Sequence, residues 1–147
     1  DACIEATVAQ ARGRYAGTTY DKKDIAGFAA AVQAGQGAFY VPDQNAARRT
    51  VFVPFMGVQT ATLGAIGGVL RRCGGRVLLM WARRDDAGIQ HIELEPAWPD
   101  WPGGDETANA ARYMAWIEAR LQPSPEQYLW VHRRFKTRPP GAPPVYR

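Results

Sequence analysis

The segment Pro125-Glu-Gln-Tyr-Leu-Trp-Val-His-Arg-Arg-Phe-Lys-Thr-Arg138 carries more information about the fold than any other part of the chain. It alternates aromatic side chains with fixed positive charge and has no acidic residue after Glu126. Apolar and aromatic residues at this spacing are usually buried, so we expect Tyr128, Leu129, Trp130 and Phe135 to anchor the terminus on the sheet. The basic residues between them remain available to an anionic partner, because arginine pairs with both phosphate and carboxylate.

The composition predicts one compact domain. The chain has 147 residues, of which 46% are hydrophobic, which suffices for a core. Its net charge of +4 is modest, and the basic excess is concentrated after His132, where no acidic residue follows. Cys3 and Cys73 lack the spacing of a metal site or a disulfide scaffold, so reduced thiols are expected. The chain begins without Met, and we expect it to be part of a longer protein.

Apolar residues at helical spacing predict a helix from Asp1, which can cap it, to Tyr15. Arg12 and Arg14 lie at the end of this helix, beside a loop. The commoner explanation is that their guanidinium groups are solvated or offset the helix dipole, and a role in anion binding stays open. A second helix is predicted to begin at Asp21.

Four apolar residues between Gly and Pro, residues 38–41, predict a short buried strand. Asp43 and Gln44 follow it almost directly. Ligands of open α/β sheets gather at the carboxyl ends of strands, so these two residues are site candidates by position. The commoner alternative is that they only form a turn or cap nearby main chain.

The middle of the chain predicts a βαβ-like unit. Residues 50–55 are apolar but contain a proline, which restricts them to an edge strand or an extended segment. A helix capped by Thr60 or Thr62 is predicted to end at Cys73, and residues 76–83 then form a central strand. The expected fold class is therefore α/β, with a mixed sheet flanked by helices.

Residues 89–95 alternate in polarity and are predicted to return antiparallel to the central strand. His91, Glu93 and Glu95 would share one face of this strand. That face has the residue types of a metal site, but an exposed polar strand face is far commoner, and no metal is expected.

Two helices are predicted near the end of the chain. Asp105 caps the first, which runs to Leu121. Ser124, followed by Pro125 and by Gln127 at the third helical position, predicts a short second helix with a capping box. This helix leads into the basic segment.

Four blocks of the chain together resemble the lipid A biosynthesis acyltransferases, the lauroyl and myristoyl transferases that complete the acyl pattern of bacterial lipopolysaccharide. The blocks are the Arg-rich turn 12–14, Pro-Asp-Gln at 42–44, Val-Phe-Val-Pro-Phe-Met-Gly at 51–57, and the terminal string 125–138. They stand in the order that the family has. The terminal string is the most specific, because generic core or surface demands do not produce fourteen such mixed residues.

The resemblance covers only about the C-terminal half of the family. It implies that residues 1–147 are the C-terminal portion of one acyltransferase domain with a glycerolipid-acyltransferase-like architecture. Members usually begin with a membrane-anchoring helix and carry a catalytic His followed five positions later by Asp or Glu. Neither His91 nor His132 fits, since Pro96 and Thr137 stand at those positions. We therefore expect no catalytic residue in this chain and no activity from the chain alone.

The family's reaction transfers a fatty acyl chain from an acyl carrier protein thioester to a hydroxyl of a Kdo-bearing lipid A precursor. It takes place at the cytoplasmic face of the bacterial inner membrane, and neither a cofactor nor a metal is expected. The upstream His would deprotonate the hydroxyl, and hydrogen-bond donors would stabilise the oxyanion. The resemblance implies that Asp43 and Gln44 bind the acceptor or organise the site, and that Arg12 or Arg14 addresses phosphate or the oxyanion.

Arg133 and Arg134 are expected to serve lipid phosphate, the acidic carrier protein or the inner-membrane surface. Two other functions stay open. A glycerolipid acyltransferase would share the architecture, but its usual Glu-Gly-Thr-Arg phosphate block is missing. A module for nucleic acid or acidic protein needs exposed aromatic rings beside the basic residues, so burial of those rings would remove its stacking platform. We expect no nucleic-acid partner.

Overall fold

The computed structural model describes residues 2–21 and 23–147 and shows a mixed α/β chain. The described residues form helices and antiparallel strands in this order: α1 (Ala2–Gly13), α2 (Ile25–Gln33), β1 (Thr50–Phe55), β2 (Val58–Leu63), α3 (Ile66–Cys73), β3 (Leu78–Arg84), β4 (Gln90–Pro96) and α4 (Glu106–Leu121). Short 3-10 turns follow at Pro125–Gln127 and Trp130–His132. The chain divides into two compact units, one up to Ala38 and one from Phe39 onwards.

Both predicted helices of the first unit form, with shifted ends. α1 ends at Gly13 rather than Tyr15 and buries none of its side chains. The predicted cap at Asp1 lies outside the described residues. α2 begins later than predicted, because Asp24 rather than Asp21 accepts the capping hydrogen bond, from the Gly27 N–H at 2.9 Å.

β1 and β2 form a tight hairpin whose turn consists of Met56 and Gly57. Both turn residues have positive φ, 50° and 73°, a backbone form that matches the twist of the two strands. The carboxylate of Glu118 on α4 accepts a hydrogen bond from the Met56 N–H at 2.8 Å. This bond fixes the end of the hairpin to the helix that packs against it.

The prediction for residues 60–73 is wrong in its first part. Thr60 and Thr62 do not cap a helix; both are fully buried in β2. The turn at Met56 leads the chain directly back along β1, so residues 58–63 pair as a strand and α3 starts only at Ile66. The predicted end is confirmed, since Gly74 closes α3 in the left-handed region, at φ 67°.

β3 and β4 form a second hairpin, which confirms the predicted antiparallel return. Their register places Trp81 opposite Glu93 and Met80 opposite Leu94. Within the described residues each sheet has only two strands, so β3 is not the central strand of one mixed sheet and the predicted βαβ pairing does not form. The predicted strand at 38–41 is also wrong, because those residues lie outside both sheets.

The core of the second unit lies between the first hairpin, α3 and α4. Its buried apolar residues are Val53, Phe55, Ile66, Ala110, Tyr113, Met114 and Leu121. The aromatic residues of the terminal segment pack against this core, with the Tyr128 and Phe135 rings 5.7 Å and 6.1 Å from Phe55. The predicted anchoring role is confirmed for Tyr128, Trp130 and Phe135. It is wrong for Leu129, which is 62% exposed, since its neighbours Tyr128 and Trp130 are the residues that pack against the core.

The two helix starts predicted near the end of the chain differ in outcome. The Asp105 carboxylate accepts hydrogen bonds from the N–H groups of Thr107 and Ala108, as a cap of α4 should. Ser124 makes no side-chain capping bond, and the residues after it form only a 3-10 turn. In the described part of the chain, no helix has the length and apolar character needed to cross a membrane.

Replacing Asp105 by Ala tests the contribution of this cap. We expect Asp105→Ala to lower the free energy of unfolding by about 1 kcal/mol, because two N–H groups at the start of α4 lose their acceptor. Urea unfolding followed by circular dichroism measures the change. Asp86→Ala, in the exposed β3–β4 turn, is the matched control and should stay within about 0.5 kcal/mol. Equal effects of the two substitutions would contradict the capping role.

Candidate functional site

Arg134 is a fully buried cation in the second unit, with 0% of its surface exposed. One terminal nitrogen of its guanidinium donates to the Ala61 carbonyl at 2.6 Å, and the other donates to the Thr62 hydroxyl at 2.8 Å. The guanidinium also lies 5.7 Å from the centre of the Phe55 ring. Arg134 therefore fastens the terminal segment to β2 through bonds that only a long, branched donor can make.

Burial disfavours the charge of Arg134, and neighbouring polar groups partly restore its stability. Burial lowers the pKa of Arg134, whereas its interactions with Tyr128, Tyr113 and Asp43 raise it. The Nε atom of the guanidinium is buried and has no hydrogen-bond partner in the part of the chain that the structure describes. A buried cation is tolerated only where neighbours supply such compensation, so these residues form one polar cluster inside the unit.

Asp43 belongs to the same cluster and is held through the main chain. The Tyr128 hydroxyl donates to the Asp43 carbonyl at 3.3 Å, and the Tyr113 hydroxyl donates to the Pro42 carbonyl at 3.2 Å. The Oδ1 atom of the Asp43 carboxylate is buried and has no hydrogen-bond partner among the described residues. The site thus contains a positioned carboxylate with one unused acceptor oxygen beside a buried cation.

The two tyrosines stay neutral hydrogen-bond donors. Burial raises the pKa of Tyr113 and of Tyr128, and the negative charge of Asp43 raises both further. At neutral pH each hydroxyl therefore keeps its proton and continues to hold the 42–43 segment.

The remaining predicted residues of the second unit lie at its surface. Gln44 is exposed, next to the buried face of Asp43. Arg133 is exposed as well, and its guanidinium lies 5.0 Å over the ring of Tyr146. The structure therefore separates two neighbouring arginines: Arg134 joins Asp43 in the buried cluster, and Arg133 points its charge outwards.

Arg12 and Arg14 lie in the first unit, and both are exposed. Arg12 occupies the last turn of α1 and lines a pocket of about 360 Å³ whose wall includes Ile4, Val8 and Tyr20. The pocket gives Arg12 an amphipathic setting, with apolar side chains beside the guanidinium.

The histidine on β4 is paired within its own hairpin. His91 Nε2 lies 2.7 Å from the carboxylate of Asp85, and this contact holds the pKa of Asp85 below its usual value. Glu93 and Glu95 both bind Arg120 on α4. Among residues 2–21 and 23–147, no three His, Cys, Asp or Glu side chains come together as metal ligands.

A family model described as bacterial lipid A biosynthesis acyltransferase matches residues 1–137. The chain belongs to this family. It is 37% identical over 130 residues to the lipid A biosynthesis lauroyltransferase of Escherichia coli (strain K12). The matched region makes up 86% of this chain and 42% of that protein. It is 33% identical over 141 residues to the lipid A biosynthesis myristoyltransferase of the same strain, and this matched region makes up 92% of this chain and 43% of that protein.

A palmitoleoyltransferase of lipid A biosynthesis from the same strain is 33% identical over 128 residues, with 85% of this chain and 42% of the relative covered. The chain therefore spans about two fifths of the length of the relatives it matches. These comparisons confirm the family that the terminal string and the three upstream blocks indicated.

Sequence reasoning missed Tyr113 as a member of this polar cluster, although a signal was present. Tyr113 stands three positions after Ala110 and four before Ile117, so it shares the inward face of α4 with them. Its hydroxyl is the polar end of a core residue, 2% exposed, and it reaches the main chain at Pro42. The role of Thr62 had no comparable signal, because it depends on β2 forming at all.

Exchanging each arginine in turn separates the buried role from the surface role. Arg134→Ala should lower the free energy of unfolding by about 3 kcal/mol, because the Ala61 carbonyl and the Thr62 hydroxyl lose their donor inside the unit. Arg133→Ala loses surface contacts with the Tyr146 ring and the Arg147 carbonyl and should cost less than about 1 kcal/mol. Urea unfolding of both variants gives the comparison, and equal losses would refute the assigned difference.

Proposed function

We propose that residues 1–147 are the C-terminal portion of a lipid A acyltransferase that transfers a fatty acyl chain from acyl carrier protein to a hydroxyl of a Kdo-bearing lipid A precursor. The match of residues 1–137 to the family is the observation that carries this proposal. Relatives with lauroyl-, palmitoleoyl- and myristoyltransferase activities support it. The complete domain would have a glycerolipid-acyltransferase-like architecture and would work at the cytoplasmic face of the inner membrane.

The catalytic base of this reaction is proposed to lie in a segment preceding residue 1. Neither histidine of the chain has the expected acidic partner five positions later. The described contacts give them other partners, since His91 pairs with Asp85 and the ring of His132 contacts the Leu129 carbonyl. The upstream histidine would remove the proton of the acceptor hydroxyl, whose oxygen would attack the thioester carbonyl. The C–S bond would then break, and the carrier-protein thiolate would leave and take up the proton held by the histidine.

The contribution proposed for this chain is to bind the acceptor. The Oδ1 atom of Asp43 is buried and has no hydrogen-bond partner among the described residues, and we propose that it accepts from a hydroxyl of the lipid acceptor. Gln44 is exposed beside it and would add an amide contact. Arg134 would stabilise the site from inside the unit, because its buried positive charge attracts the Asp43 carboxylate.

Surface arginines are proposed to receive the anionic groups of the two substrates. Arg133 is exposed and available to lipid phosphate, to the acidic carrier protein or to the membrane surface. Arg12 or Arg14 would address phosphate or the oxyanion. The pocket beside Arg12 is lined by apolar Ile4 and Val8 but also by the carboxylates of Glu5 and Asp21, so it adds no support to this role.

The packing of the terminal segment disfavours a nucleic-acid module. The rings of Tyr128, Trp130 and Phe135 pack against the core instead of forming an open stacking surface. Trp130 and Phe135 also stack on each other, with ring centres 6.1 Å apart. The basic residues of this segment therefore lack the aromatic platform that single-stranded nucleic acid requires.

Replacing Asp43 in the full-length protein tests its role in transfer. We expect Asp43→Ala to lower lauroyl or myristoyl transfer to a lipid A precursor by more than about tenfold, equivalent to about 1.4 kcal/mol of transition-state stabilisation. Asp86→Ala is the control and should keep normal activity. Thermal unfolding of both variants must match that of the parent protein, so that a lost fold is not read as a lost site. Unchanged activity of folded Asp43→Ala would remove Asp43 from the site.

The proposed location of the base predicts that the 147-residue chain alone has no transferase activity. Incubation with acylated carrier protein and a lipid A precursor, followed by mass spectrometry of the lipid, measures this directly. Any acyl transfer above the rate without protein would show that the chain contains its own base.

A further inference from the structure

The hairpin of β3 and β4 carries an outward face that is apolar along most of its length and ends in the polar pair Arg84 and Gln90. Side chains alternate along a strand, so cross-strand partners share a face. The pairs on the outer face are Leu78 with Pro96, Met80 with Leu94 and Ala82 with Ile92. Exposure is high for residues of this kind, at 57% for Leu78, 65% for Ile92 and 61% for Leu94. A contiguous apolar surface of this type marks an interaction site.

The opposite face of the same hairpin is already occupied. Trp81 packs edge-on against Trp116 of α4, with ring centres 6.2 Å apart. Glu93 and Glu95 form ion pairs with Arg120 on the same helix. These contacts fix the hairpin on α4, so the apolar face cannot turn inwards within the second unit.

The edge of β3 is open as well. The bonds from the Asp85 N–H to the Ile89 carbonyl and from the Ala97 N–H to the Val77 carbonyl show which β3 residues bond to β4. The odd-numbered residues of β3 make the main-chain hydrogen bonds to β4, because hydrogen-bonded and non-hydrogen-bonded pairs alternate in an antiparallel ladder. The main-chain groups of the even-numbered residues therefore point away from β4.

One end of that open edge shows what it can bind. The Arg84 N–H donates to the side-chain oxygen of Gln127 at 2.8 Å, and the Gln127 amide nitrogen donates to the Arg84 carbonyl at 2.8 Å. An amide side chain thus makes the pair of hydrogen bonds that a neighbouring strand would make. In the described residues, Leu78, Met80 and Ala82 have no corresponding partner along this edge.

We propose that the part of the acyltransferase domain preceding this chain packs on the apolar face of the β3–β4 hairpin and extends its sheet along the β3 edge. This inference rests on the proposed function. The chain spans only about 42% of its relatives, so the larger part of such a domain is available to cover the face. A membrane surface could cover apolar side chains, but lipid tails offer no partner to the open main-chain groups, whereas a strand satisfies both.

Cysteine labelling of the full-length protein tests this docking surface. Ile92→Cys and Asp86→Cys are each made in a background in which Cys3 and any cysteine outside residues 1–147 are replaced by Ser; Cys73 is buried and is kept. We expect Ile92→Cys to react with a maleimide at least about tenfold more slowly than Asp86→Cys in the full-length protein, because only the former is covered. In the 147-residue chain the two should react at similar rates, since both positions are exposed. Rapid labelling of Ile92→Cys in the full-length protein would overturn the proposal.

Two further arms identify other occupants. Protection of Ile92→Cys in the 147-residue chain by vesicles of phosphatidylethanolamine and phosphatidylglycerol would show that lipid covers the face, and would overturn the proposal. Protection that grows with the concentration of the 147-residue chain would show that a second copy covers it, with the same consequence.

Transfer activity of the same full-length samples separates the two proposals. Activity with an unprotected Ile92→Cys would refute the docking surface alone, and protection without activity would refute the acyltransferase function alone.

Discussion

The burial of Arg134 is the constraint on which the second unit depends. The segment after α4 has no long helix or strand of its own, so it needs side-chain contacts to stay attached. Arg134 supplies them by donating to Ala61 and Thr62, and the rings of Tyr128 and Phe135 close around Phe55. A cation in this position is stable only with its acceptors in place, so the first hairpin and the terminal segment require each other.

The candidate site is a consequence of that attachment. Tyr128 comes from the terminal segment and Tyr113 from α4, and their hydroxyls together hold the main chain at Pro42 and Asp43. Asp43 thereby acquires a defined position although it lies outside the regular elements. Its Oδ1 atom has no hydrogen-bond partner among the described residues, and the acceptor-binding role that we propose for Asp43 rests on this observation.

The two hairpins differ in how far the chain itself completes them. The first is enclosed, since Val53, Phe55, Thr60 and Thr62 are all buried. The second is covered on the side of α4 only, and its outer face exposes Leu78, Ile92 and Leu94. The chain spans about two fifths of the length of its relatives, and we propose that another part of the domain covers this face.

The sequence by itself determined the features that depend on local chemistry. These include the Asp105 cap, the end of α3 at Gly74, the return of β4 and the family, which the string at 125–138 identifies. Only the tertiary structure decided that Thr60 and Thr62 form a strand, that residues 38–41 do not, and that Arg134 is buried while Arg133 is exposed. The physical reason is distance along the chain: strand pairing and the burial of a charge depend on partners that local sequence does not reveal, and Arg134 finds its acceptor 73 residues away.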